Sequence, residues 1–395
     1  MQQRWRSLVA LTLARVAMGF QFQSVAALAP LLAPDLGLDK TQLGWLIGLY
    51  LLPGAAVALP GGLLGKRFGD TRAVLAGLVL MAAGAFGLAF AQSFAQANAA
   101  RLVSGIGGVV LNVLVTKMVA DCFDGKERLL AMSIMINAWP IGVGLALVVA
   151  APLGAAAGWP WGFVSSALFA AIGFVLIVAL HRAPAAQHDA GETVDGTAMT
   201  GREWRLLVVA SLPWLLYNAA FQITLSFLPS FFVDSGIGIA AAGGLVALSV
   251  AMFVVGVQAG GILLRRARHP DRICHVAVVA WCATLGLLAA GNAPLPWLVV
   301  GGVLGGLPAA AFVSLPAELL RPQSRNVGMG VFYTLYYLGC ALLPTLAGLL
   351  YDRSGGAAAL ALAAALALLC VPVLWAFRRA LASAAGAPQR DPLGI

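Results

Sequence analysis

Two arginines stand where a charge is costly. Arg15 and Arg101 each lie inside a long apolar run that contains no acidic residue. A lone charge at the centre of hydrocarbon costs at least ~2.5–3.5 kcal/mol, so each is expected to face a wet interior or a partner. A guanidinium presents five N–H donors in a planar fork that suits an anion. Anion binding is therefore the chemistry this pair could perform. For Arg15, which sits ~10 Å into its run at 1.5 Å per residue, the alternative is that the side chain snorkels to the interface. Lys117, near the end of its run, reads as an interfacial anchor.

Polar side chains in the same apolar runs supply further hydrogen bonds. Gln21 and Gln23 follow Arg15, while Tyr217, Asn218 and Gln222 share a later run, as do Tyr333, Tyr336 and Tyr337; Asn137 stands alone in another. Amide and phenol groups can donate to an anion beside an arginine. The other role open to them is hydrogen bonding between helices, worth ~1–2 kcal/mol in model peptides. Trp139 and Trp214 would shape a cavity or simply pack. The fifteen acidic residues and four histidines all fall outside the centres of the apolar runs. Proton relays across membranes use such groups, so a conventional proton-coupled mechanism is not expected.

These residues sit in a duplicated frame. Phe22-Gln23, Pro30, Asp35 and Gly37 recur 199 residues later as Phe221-Gln222, Pro229, Asp234 and Gly236. The same offset carries Gly61-Gly62 onto Gly260-Gly261 and Lys66-Arg67 onto Arg265-Arg266. Three landmarks in one register mark an internal repeat, and a repeat of this length in an apolar chain points to a transporter architecture. Gln23 and Gln222 are thereby placed as pseudo-symmetric cavity-lining residues.

Hydrophobic residues make up 61% of the 395-residue chain and charged residues 10%, against roughly 25% charged in soluble proteins. This is an all-α integral membrane protein. At about 20 apolar residues per crossing, spans are expected near 8–33, 42–64, 73–91, 94–116, 129–152 and 161–181, then 206–232, 240–264, 273–291, 294–317, 326–350 and 357–377. We number them 1 to 12. Lys and Arg collect on one side of this arrangement, twenty against two, which places both termini in the cytoplasm. The net charge of +9 is thus a topology signal, and no nucleic-acid partner is expected. The organisation read here is a six-helix bundle over 1–181, a cytoplasmic linker over 182–205, a second bundle over 206–380 and a tail over 381–395. No metal-ligand spacing and no nucleotide-binding loop is present, so no cofactor is expected. The five cysteines read as small apolar fillers.

Several motifs carry a family resemblance. Pro60 to Asp70, between spans 2 and 3, resembles the loop 2–3 signature of the major facilitator superfamily. Arg101 to Gly107 resembles that family's second motif, an arginine followed by Gly-x-Gly. Asp121 with Gly125 to Arg128, and Pro316 to Glu318 with Arg325 and Gly328, resemble the loops 4–5 and 10–11. The run Thr116 to Asp121, with Trp139 to Gly142, is similar to the cyanate-permease-like and nitrate/nitrite-porter-like branches. Two departures stand out. Lys66 occupies the acidic position of the loop 2–3 signature, leaving Asp70 as its substitute, and Asn137 to Gly144 departs from the Gly-Pro motif of proton-driven drug antiporters.

The resemblance implies a single-chain transporter of a bacterial inner membrane with a midplane site between two rocking halves, lined by spans 1, 4, 7 and 10. Gly62, Lys66, Arg67, Gly69 and Asp70 would then form a gating motif. It also offers Arg101 a structural or gating role in place of a ligand. The substrate expected is a small inorganic or organic anion, bound among Arg15, Gln21, Gln23, Arg101, Asn137, Tyr217, Asn218, Gln222, Tyr333 and Tyr336. Efflux of an apolar compound is the alternative if both arginines are structural.

Overall fold

The computed structural model describes residues 3–57, 67–123, 125–182, 199–321 and 324–385. Eleven of the described helices are long and apolar enough to cross a membrane. The remaining crossing, span 2, begins with the helices Lys40–Leu49 and Leu52–Val57. The other spans of the first half are Gln3–Leu36 (span 1), Asp70–Ala89 (span 3), Phe94–Cys122 (span 4), Gly125–Ala157 (span 5) and Trp159–Leu180 (span 6). Those of the second half are Gly201–Asp234 (span 7), Ile239–Arg266 (span 8), Pro270–Ala289 (span 9), Arg325–Ser354 (span 11) and Gly356–Ala385 (span 12). Span 10 is segmented into Pro294–Gly306, Ala309–Ser314 and a 3-10 turn over Leu315–Glu318. Pro308, just before the second segment, has no N–H to continue the helical ladder.

Several helices outrun their apolar runs. Span 1 starts at Gln3 instead of residue 8, and span 7 starts at Gly201 behind a capping box. In that box the Thr200 hydroxyl accepts from the Glu203 N–H and the Glu203 carboxylate accepts from the Thr200 N–H. Two orphan helix donors are satisfied at once. The residues 183–198 of the expected linker lie outside the described ones.

Each half packs as a bundle, with span 1 against spans 5 and 6, and span 7 against spans 11 and 12. The halves meet through spans 2 and 11, 5 and 8, and 1 and 7. We call the side that carries both chain ends the termini face and the other the far face. The contacts between halves gather toward the far face. Spans 2 and 11 run antiparallel there, with Gly348 against Lys40, Gly44 against Pro344 and Gly48 against Ala341. A Cβ on Gly48 would overlap the Ala341 carbonyl oxygen, so the close approach depends on this residue having no side chain.

Candidate functional site

At the far face, acidic residues of the second half take up donors of the first. Asp352 accepts from the backbone N–H groups of Lys40 and Thr41 at 2.9 and 2.8 Å, and from the Thr41 hydroxyl at 2.6 Å. It thus caps the start of span 2 from across the interface, beside the capping box of Asp39 and Gln42. Tyr351 donates to Asp234 at 2.5 Å, and Lys40 lies 3.6 Å from the same carboxylate. On the termini face, by contrast, the ion pairs Arg4–Glu127 and Lys117–Asp70 stay in the first half. Arg321–Glu203 and the pairs of Arg378 with Asp271 and Glu318 stay in the second.

Between the halves, on the termini side of the span 2–11 contact, polar side chains from six spans come together. Asn112 of span 4 donates to the Tyr337 hydroxyl at 3.0 Å, and Gln258 of span 8 donates to the Asn137 Oδ1 at 3.5 Å. Arg15 reaches in from span 1. One terminal nitrogen, Nη1, donates to the Thr116 hydroxyl at 3.1 Å and to the Met135 sulfur at 2.8 Å. Its Nε is buried without a partner among the described residues, while Nη2 is not fully buried and has no acceptor among them. Among the described residues no carboxylate lies within ion-pair distance of Arg15. Tyr333, Tyr336 and Tyr337 stand within electrostatic range of its guanidinium. Asn218 and Trp214 complete the wall from span 7, with Trp214 6.1 Å from Tyr336 between ring centroids.

The other expected residues lie inside the bundle walls, away from this cleft. Arg101 is fully buried, at 0% exposure. Its Nε donates to the Leu46 carbonyl at 3.0 Å, and its two terminal nitrogens donate to the carbonyls of Gln21 and Phe22 at 2.9 and 2.8 Å. The Tyr50 ring lies beneath the guanidinium, 4.5 Å from centroid to carbon, a cation–π contact in a desolvated setting. Leu46 belongs to the last turn of Lys40–Leu49, where helix carbonyls lack internal partners. Arg101 therefore fastens the break in span 2 to span 1. Gln21 joins this cluster, donating to the Met81 carbonyl at 2.7 Å and accepting from Tyr50 at 3.3 Å. Tyr217 donates to the Gly305 carbonyl at 2.6 Å.

Gln23 and Gln222 are also buried. Gln23 donates across the halves to the Leu225 carbonyl, and Gln222 donates within its own half to the Cys340 carbonyl, each at 2.9 Å. Neither amide reaches the cleft. Of the loop 2–3 motif, Gly62 and Lys66 lie outside the described residues. Arg67 covers the Phe68 ring, Gly69 takes a φ of +83° that only glycine adopts at ease, and Asp70 opens span 3 while binding Lys117 at 2.7 Å. The carboxylate thus contacts its own half.

Asn112, Thr116 and Gln258 are cleft residues that the sequence reading did not assign to the site. Asn112 and Gln258 carried the same signal as Asn137, a polar side chain inside an apolar run, whereas Thr116 stands at the end of its run.

The chain matches the family model described as Major Facilitator Superfamily over residues 11–298. It is 27% identical to the 3-(3-hydroxy-phenyl)propionate transporter of Escherichia coli (strain K12), over 84% of this chain and 83% of that one. It is 24% identical to the cyanate transport protein CynX of the same organism, over 84% of this chain and 86% of that one. A shorter stretch is 30% identical to the MFS-type transporter ppz2 of Metarhizium majus (strain ARSEF 297), covering 34% of this chain and only 24% of that relative's length. Among solved structures, a bacterial homologue of the human lysosomal transporter Spinster superposes with a TM-score of 0.78 at 16% identity, covering 98% of this chain and 99% of the other. With a family model spanning most of its length and eleven membrane-length helices among the described residues, the chain is a member of the major facilitator superfamily, a transporter and not an enzyme.

Proposed function

We propose that this transporter carries a small organic or inorganic anion, and that Arg15 is its primary contact. One observation carries the reading. Arg15 is a guanidinium at membrane depth with one terminal nitrogen accessible, no carboxylate partner among the described residues, and donors from both halves around it. A buried charge without a counter-ion is strongly disfavoured, and an anion entering the cleft supplies one. Asn112, Thr116, Asn137, Asn218, Gln258, Tyr333 and Tyr336 complete the proposed site. Arg101, by contrast, is fully buried and each of its three nitrogens already donates to a backbone carbonyl. Two of the relatives, the 3-(3-hydroxy-phenyl)propionate transporter and the cyanate transport protein, support the same substrate sign.

The proposed cycle is alternating access. The halves, 1–181 and 206–380, rock about the midplane and the linker 182–205 tethers them. Lys and Arg gather twenty to two on the termini side, which supports cytoplasmic termini in a bacterial inner membrane. On that orientation the far face is extracytoplasmic and closed, and the cleft opens inward.

The test is thermal unfolding of the purified protein in detergent against small anions, neutral metabolites and lipophilic cations. A ligand at 100 times its Kd adds ~2.7 kcal/mol of stability. Stabilisation by an anion, lost in Arg15→Gln, is the expected result. Stabilisation by neutral or cationic compounds alone would overturn the reading in favour of apolar efflux.

A further inference from the structure

The wall of the cleft that faces Arg15 is aromatic. Trp214 comes from span 7 and Tyr333 and Tyr336 from span 11, so all three belong to the half opposite Arg15. The rings brace one another. Trp214 and Tyr336 lie 6.1 Å apart with planes 33° from parallel, and Tyr333 meets Tyr336 edge-on at 6.3 Å and 86°. Phe332 stacks behind Trp214 at 6.4 Å and 20°. The wall is therefore shaped before any ligand arrives.

Its front remains open. Tyr333 is 36% exposed, while Trp214 and Tyr336 are half-buried. The Tyr337 hydroxyl is taken by Asn112, whereas those of Tyr333 and Tyr336 make no hydrogen bond with other described residues. Thr116, which accepts from Arg15, lies one turn from Asn112, which donates to Tyr337, and the Tyr337 ring is 5.0 Å from that of Tyr336. Span 4 thus brings the guanidinium and the tyrosine face to one level of the cleft.

We propose that the cleft selects a small aromatic carboxylate, its carboxylate on the open nitrogen of Arg15 and its ring on the face formed by Tyr333, Tyr336 and Trp214. This rests on the anion reading above and narrows it. A carboxylate accepts from a guanidinium and from phenol hydroxyls. A flat ring gains offset or edge-on contacts worth about 2- to 10-fold in affinity per aromatic pair beyond its area burial. A saturated ring of equal size has only the area term.

Benzoate and cyclohexanecarboxylate separate these contributions, because both carry one carboxylate on a six-membered ring and the saturated one is the more hydrophobic. Calorimetric titration of the full-length protein should give benzoate the lower Kd by at least about 5-fold, the middle of the range expected from one aromatic pair. Tyr336→Leu and Trp214→Leu should remove that preference and keep carboxylate binding, while Tyr336→Phe should retain it. Equal or tighter binding of cyclohexanecarboxylate overturns the aromatic selection and leaves the anion reading standing. Binding of inorganic anions with neither ring acid has the same consequence. Binding of neutral or cationic compounds and of no anion overturns both.

Discussion

Gln23 of span 1 donates its side-chain N–H to the Leu225 carbonyl of span 7 at 2.9 Å. That carbonyl lies four residues before Pro229, the position whose helical donor a proline removes. Gln222 stands in the same relation to span 11, since it donates to the Cys340 carbonyl, four residues before Pro344. The two repeat-related glutamines thus satisfy backbone acceptors that prolines in other helices leave unpaired. One bond lies within a half and the other joins the halves.

This relationship separates their mutants. Gln222→Leu leaves a buried carbonyl unsatisfied, at a cost of ~1–3 kcal/mol. It should lower the melting temperature while substrate affinity stays at the wild-type value. Unchanged stability with weakened affinity would return this amide to the cleft. Gln23→Leu should act on the contact between halves and favour opening of the far face.

Arg101→Lys should destabilise the protein although the charge is kept. A lysine ammonium cannot reproduce the planar fork that reaches the Leu46, Gln21 and Phe22 carbonyls while stacking on Tyr50. Each hydrogen bond from a charged group is worth ~1.5–3 kcal/mol, so poor yield or a large fall in melting temperature is expected. A stable Arg101→Lys protein with lost binding would make this arginine a ligand.

Asp352 closes the far face by capping span 2 from the other half. Removal of a cap costs ~0.5–2 kcal/mol, a shift of about 2- to 30-fold in the balance between closed and open far faces. Spin labels at Pro34→Cys and Ser354→Cys, on opposite halves, read the gap. Asp352→Ala should populate longer distances, and an unchanged distribution would deny the cap a gating role.

The gross architecture could be read from the chain because a crossing helix writes itself as a long apolar run, and the halves write themselves as a repeat. Phe22-Gln23 and Phe221-Gln222 fall in the two 34-residue helices Gln3–Leu36 and Gly201–Asp234. What those glutamines bind could not be read, since the acceptors sit on other helices. Proline spacing marks Leu225 and Cys340 as carbonyls in need of a donor, but nothing local names the donor. Arg15 and Arg101 posed the same difficulty. Both are arginines in apolar runs, and only packing reveals that the break after Leu49 gives Arg101 a backbone acceptor while Arg15 opens onto a cleft. Helix ends were also hidden, because capped segments such as Gly201 to Arg205 extend the helix beyond its apolar stretch.

The central claim is that Arg15 holds the substrate's negative charge. The direct measurement is the Kd of the stabilising anion, by calorimetric titration, for wild type, Arg15→Lys and Arg15→Gln at matched ionic strength. Loss of a charge-assisted hydrogen bond of ~1.5–3 kcal/mol predicts a 10- to 150-fold weaker Kd in Arg15→Gln and partial retention in Arg15→Lys. Wild-type affinity in a folded Arg15→Gln protein would contradict the account.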